Sequence, residues 1–146
     1  MLSTTRSIRH ATVAAAGVSA AASWAVVTQL AGVHLGVRFP HSSATTVALG
    51  TAIGAASVAT LLGWGLLAAL ETRASHARRI WITAAVVVFL MSLGLPIAFA
   101  TTTAATAGLA AIHLVVASVA ITGLARAGQS HRASSSPAAR DLATAA

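Results

Sequence analysis

The 146-residue chain has no cysteine. That excludes disulfides, thiolate catalysis and cysteine-ligated metals. Charge is almost as scarce: charged residues make up 8% of the chain, and only two of them are acids. So small a stock of carboxylates leaves little from which to build hydrolytic or proton-coupling machinery. No nucleophile–base–acid set, phosphate-cradling glycine loop or metalloprotease helix is present. No catalytic residue or cofactor site is therefore assigned, and the chain is not read as an enzyme.

What is present is apolar. Hydrophobic residues account for 57% of the chain and the mean hydropathy is +0.85, far above an ordinary soluble domain. Residues 11–37 and 39–70 contain no Arg, Lys, Asp or Glu. A bilayer crossing takes about 20 apolar residues, so runs of this length read as membrane spans. The spacing predicts four of them, at about 11–33, 45–70, 80–99 and 105–125. A short lead (1–10) and a Ser-, Ala- and Arg-rich tail (126–146, containing Pro137) flank the spans, and the tail is expected to be disordered. A cleaved secretory signal competes for the first run, but the run exceeds the roughly 7–15 residues of a signal core. The backbone of a lipid-facing segment must satisfy its own hydrogen bonds, so each run is read as helix. The fold class is all-α, an integral membrane four-helix bundle.

The net charge of +7 is carried by arginine alone. The arginines stand at span boundaries rather than on an aromatic-studded helix face, so nucleic acid is not the expected partner. Membrane lipids are. Arg6 and Arg9 precede the first run, Arg73, Arg78 and Arg79 follow the second, and Arg126, Arg132 and Arg140 follow the fourth. Only Arg38 lies in the other connectors. Eight against one places both termini on the cytoplasmic side of a plasma membrane. Trp64 and Trp81 then fall where interfacial aromatics gather, while Trp24 is a packing residue.

Cohesion between helices in lipid comes from close backbone approach and polar contacts. Gly17 in the first span, with Gly50, Gly54 and Ser57 in the second, marks faces suited to it. His113, about eight residues into the fourth span, is the most suggestive polar side chain, and Gln29 in the first span is its expected partner at similar depth. The pair reads either as an interhelical hydrogen bond or as part of a polar path. His34, His41 and His113 could form a metal or haem site only without any carboxylate in a span, which argues against one. Glu71 is expected to pair with Arg73, Arg78 or Arg79 and close the loop between spans two and three. Pro96, after Gly94, should bend the third span near its end, and Thr101 to Thr103 mark a tight turn.

Taken in order, Gly63-Trp64-Gly65-Leu66-Leu67 with Glu71, then Arg78-Arg79-Ile80-Trp81, the threonines 101 to 103, and His113-Leu114-Val115-Val116 resemble an uncharacterised family of small four-span actinobacterial membrane proteins, a domain of unknown function. Thr122, where proline is expected, departs from its pattern. The resemblance implies no activity. Small multidrug exporters have a similar length and span number but need a membrane-embedded glutamate in their first span, where this chain offers Gln29. Two functions follow as expectations: association of helices with a second copy or a larger membrane partner, or a small oligomeric transporter or channel with its path near His113 and Gln29.

Overall fold

The computed structural model describes residues 2–134, with side-chain surroundings for Ser7 and for residues 10–126. Five α-helices run in the order α1 (Leu2–Ala25), α2 (Leu49–Glu71), α3 (Ala77–Ser92), α4 (Gly94–Phe99) and α5 (Thr103–Ser134). A π-helical turn at Val26–Leu30 prolongs α1. Among the described residues, four segments are long and apolar enough to cross a bilayer: His10–Leu30, Leu49–Glu71, Ala77–Phe99 and Thr103–Arg126. Hydroxyl residues do not interrupt these helices because they bond back to their own backbone. Ser23 donates to the Ser19 carbonyl, Thr60 to Ala56, Ser118 to Leu114 and Thr122 to Ser118, each at 2.7 Å.

The boundaries differ from expectation in identifiable ways. The polar lead at 2–10 forms the opening turns of α1 rather than a separate segment. The first span stops at Leu30, and Gly32, with φ +64°, turns the chain away. Thr45 and Thr46, assigned to the second span, are a strand instead, as suits a β-branched pair; α2 begins only at Leu49. The third span starts at Ala77 and is divided at Leu93. Pro96 has no N–H with which to bond the Ser92 carbonyl four residues back, so the helix breaks there. The tail expected to be disordered from 126 continues α5 as far as Ser134. Alanine and arginine favour helix, and the first breaker is Pro137; residues 135–146 lie outside the described residues.

α1 is the central element and packs most extensively on α5, then on α2. Its Thr12, Ala16 and Ala20 are buried at four-residue spacing, a narrow stripe that lets α5 come close. A Cβ on Gly123 would lie 2.5 Å from Thr12 Cγ2, and one on Gly108 would lie 2.7 Å from Val27 Cγ1. Two apolar clusters anchor the ends of the bundle. Leu67, Trp81, Leu124 and Ala125 form one, with Trp64 and Ile121 against it. Leu35, Leu109 and Ile112 form the other, with Trp24 and Val27.

The connector after α1 makes a short antiparallel hairpin, β1 (Gly36–Val37) pairing with β2 (Thr45–Thr46) in the register Gly36↔Thr46 and Val37↔Thr45. Its turn passes through Pro40 and through His41 at φ 63°. The hairpin is clasped to the loop between α4 and α5. The Arg38 amide donates to the Phe99 carbonyl (2.8 Å) and the Thr101 amide to the Gly36 carbonyl (3.0 Å). Glycine at 36 permits this approach, since a Cβ would meet Thr101 Oγ1 at 2.5 Å. The Trp24 indole N–H donates to the Val47 carbonyl (2.9 Å) and ties α1 to the same structure. Trp24 is the packing residue expected.

Candidate functional site

α2, α3 and α5 do not close on one another. They leave a cavity of about 850 Å³ that runs from Val37, Phe39 and Phe99 at the hairpin end to Leu66, Trp81 and Leu124 at the arginine-rich end. On α2 its wall is Ala52, Ala55, Ala56, Ala59 and Gly63; Ala84, Ala85 and Val88 of α3 face them. Ala55, Ala59 and Val88 line the space and are nevertheless exposed, so it opens sideways, out of the bundle. No acidic residue and no arginine lines it.

Six polar side chains line the cavity: Thr45, Thr46 and Thr51 toward the hairpin end, and Thr60, Ser92 and His113, these last three each bonded to its own helix. Thr60 donates to the Ala56 carbonyl (2.7 Å) and Ser92 to the Phe89 carbonyl (2.7 Å). His113 Nδ1 lies 2.7 Å from the Leu109 carbonyl. A carbonyl oxygen can only accept, so Nδ1 carries the proton, and an uncharged ring then presents Nε2 as an acceptor. The cavity is thus a mostly apolar space with an imidazole partway along it, whose uncharged form offers Nε2 as a hydrogen-bond acceptor.

The expected partnership of His113 with Gln29 is not formed. Gln29 lies in the π-helical turn, exposed, with its amide 3.4 Å from Thr28 Oγ1. The face of this segment toward α5 carries Val27, and Gln29, two residues later and therefore on the far side of the turn, points elsewhere. Of the four packing residues read from the sequence, Gly17 and Ser57 are brought together: a Cβ on Gly17 would lie 3.5 Å from Ser57 Oγ. Gly50 and Gly54 have nothing within 4 Å, and neither has Gly65 further along α2.

At the arginine-rich end, Glu71, Arg73, Arg78 and Arg79 are all exposed around the turn at 72–76. Glu71 and Arg78 both have interaction partners, and the turn is closed by the Arg73 amide on the Leu70 carbonyl (3.0 Å). Trp81 is not an interfacial aromatic: it is 2% exposed, and its indole N–H donates to the Gly63 carbonyl at 2.8 Å. It faces inward, against Leu67 of α2 and Leu124 of α5. Trp64 is half-buried and meets His10 edge-on, with ring centres 5.1 Å apart. His34 and His41 are exposed in the connector, and among the described residues no three of His, Asp or Glu gather as metal ligands would.

Sequence reasoning missed the cavity and the α1–α5 contact through Gly108 and Gly123. The available signal was two glycines about four turns apart on a helix otherwise rich in alanine and β-branched residues. The family model of DUF6069, a family of unknown function, matches residues 2–130. No curated protein and no solved structure matches the chain.

Proposed function

The chain belongs to the family of unknown function DUF6069, and from four apolar helices of membrane-crossing length we propose a small multi-pass protein of the plasma membrane that works by helix association rather than by catalysis. Its arginine-rich end faces the cytoplasm, and both termini with it. Support comes from the charge count, eight arginines against one. The up-and-down course of the helices also gathers the start of α1, the 72–76 turn and the far end of α5, since His10 meets Trp64 and Leu124 meets Trp81. With no native cysteine, single cysteines at Ser75 and Ser42 can be tested with an impermeant maleimide on intact cells. Labelling at 42 and protection at 75 is the expected result; the reverse pattern overturns the orientation.

One observation carries the association itself. Gly50, Gly54 and Gly65 stand on a face of α2 where an added Cβ would meet nothing within 4 Å among the described residues, beside the exposed Leu61. Glycines four apart let a second helix approach closely enough for van der Waals contact to hold the pair in lipid. The occupant of that face is a helix of another copy or of a larger membrane protein. A cysteine at Leu61 in native membranes should then crosslink, and Gly54→Leu should abolish the adduct while leaving the fold intact. A protein that stays uncrosslinked and monomeric in those membranes would refute the reading. The transport alternative lacks this support, because His113 and Gln29 line no common path.

A further inference from the structure

The cavity between α2, α3 and α5 lies on a different face of α2 from the open glycines, and its shape and chemistry select a different occupant. From Thr51 to Leu66 its α2 wall is about 22 Å long at 1.5 Å per residue. The cavity holds about 850 Å³, which is within the roughly 300–1,000 Å³ of small-molecule sites and gives room for a single extended amphiphile.

The lining then sets the chemistry. Among the described residues no acidic or arginine side chain lines the cavity. The Thr60 and Ser92 hydroxyls are turned onto their own backbones, which leaves only Thr45, Thr46 and Thr51 toward the hairpin end and no counter-charge for an ionic group. His113 stands ten residues from Thr103, about 15 Å into the helix and near the middle of a hydrocarbon core about 30 Å thick. A charged headgroup would not descend to that depth. With the Nδ1 proton held by the Leu109 carbonyl, the uncharged form of the ring offers Nε2 as an acceptor, and the matching ligand group is a donor.

We propose that this cavity binds an uncharged long-chain lipid bearing a hydroxyl, its apolar body along the alanines of α2 and its O–H donated to His113 Nε2. The proposal rests on the membrane residence argued above but not on the association through Gly54.

The full-length protein in phosphatidylcholine vesicles is irradiated with hexadecanol carrying a mid-chain diazirine, or with the methyl ether of the same probe, and adducts are mapped by peptide mass spectrometry. The alcohol should label the lining residues Ala56, Gly63, Ala84 and Ala85 about fivefold more than the ether, the worth of one neutral hydrogen bond. His113→Leu should make the two probes equal. Ala59→Phe, which fills the cavity without touching His113, should depress both. Met91 and Ile97, 74% and 73% exposed, report insertion, since either probe labels them in every variant. Equal labelling of the lining by alcohol and ether in the unmodified protein overturns the proposal. So does an unlabelled lining beside a labelled Met91, or a lining that crosslinks to a second chain. Unlabelled Met91 and Ile97 would instead overturn membrane residence, and this proposal with it.

Discussion

Gly123→Ala tests whether the α1–α5 contact is set by backbone approach. The added methyl would lie 2.5 Å from Thr12 Cγ2, 2.8 Å from Oγ1 and 3.2 Å from Cβ, where carbon pairs prefer about 3.5–4.0 Å. Rotation of the Thr12 side chain relieves the first two overlaps but not the third, because Cβ is fixed to the α1 backbone. The helices must separate by a few tenths of an ångström, and overpacking of this kind costs about 1–3 kcal/mol. Alanine also favours helix over glycine by about 1 kcal/mol, which partly hides the cost. Gly54→Ala supplies the same propensity gain with nothing within 4 Å, so subtracting the two variants isolates the steric term. Reversible unfolding in mixed micelles, followed by tryptophan fluorescence, should find Gly123→Ala less stable than Gly54→Ala by about 1–3 kcal/mol. Thr12→Ala in the same chain should recover part of that difference, as a coupling above about 0.5 kcal/mol in a double-mutant cycle. Thr12 has an interaction of its own, so its single variant must be measured too. If Gly123→Ala proves as stable as Gly54→Ala, the close-approach argument is wrong.

Three further outcomes follow from single contacts. Trp81→Phe removes the bond to the Gly63 carbonyl and part of the Leu67–Leu124 packing, and should cost about 1–3 kcal/mol in the same unfolding assay; a neutral result would put Trp81 back at the interface. Thr102→Ala removes the acceptor for the Ala105 amide (3.1 Å), and should cost about 0.5–2 kcal/mol, with faster hydrogen exchange confined to the first turn of α5. Pro96→Ala restores an amide that can reach the Ser92 carbonyl; that amide should exchange as slowly as its neighbours in α3, and exchange at a loop rate would mean the break at Leu93 has another cause.

Apolar run length was enough to find four helices of crossing length, because a backbone in lipid has few other ways to satisfy its donors. Where the chain left the run, local pattern misled. Thr45 and Thr46 continue an apolar stretch in composition, yet their β-branched pairing with Gly36 and Val37 depends on a hairpin that hydropathy does not register. Trp81 stands beside two arginines and so reads as interfacial; its burial rests on long-range contacts with Leu67 and Leu124, which only the packed bundle reveals. Gly17 and Ser57 were found by spacing, but the same spacing flagged Gly50 and Gly54, which face outward. In an alanine-rich helix every face is small, so spacing alone does not say which face is used. His113 was found because an imidazole in an apolar run is conspicuous. Its bond to Leu109 lies within one helix, whereas the expected bond to Gln29 required knowing how α1 and α5 are rotated.

α3 is tied at its two ends and little supported between them. Only 6% of its most apolar stretch is buried in the protein, against 22% for the stretches in α1 and α5. It is held below by Trp81 and above through the hairpin clasp beyond α4. Changes in side-chain bulk near Ala84 and Val88 should therefore leave the α1–α5 seam at Thr12 and Gly123 undisturbed. The same looseness makes this strap the part most easily reshaped without rebuilding the frame.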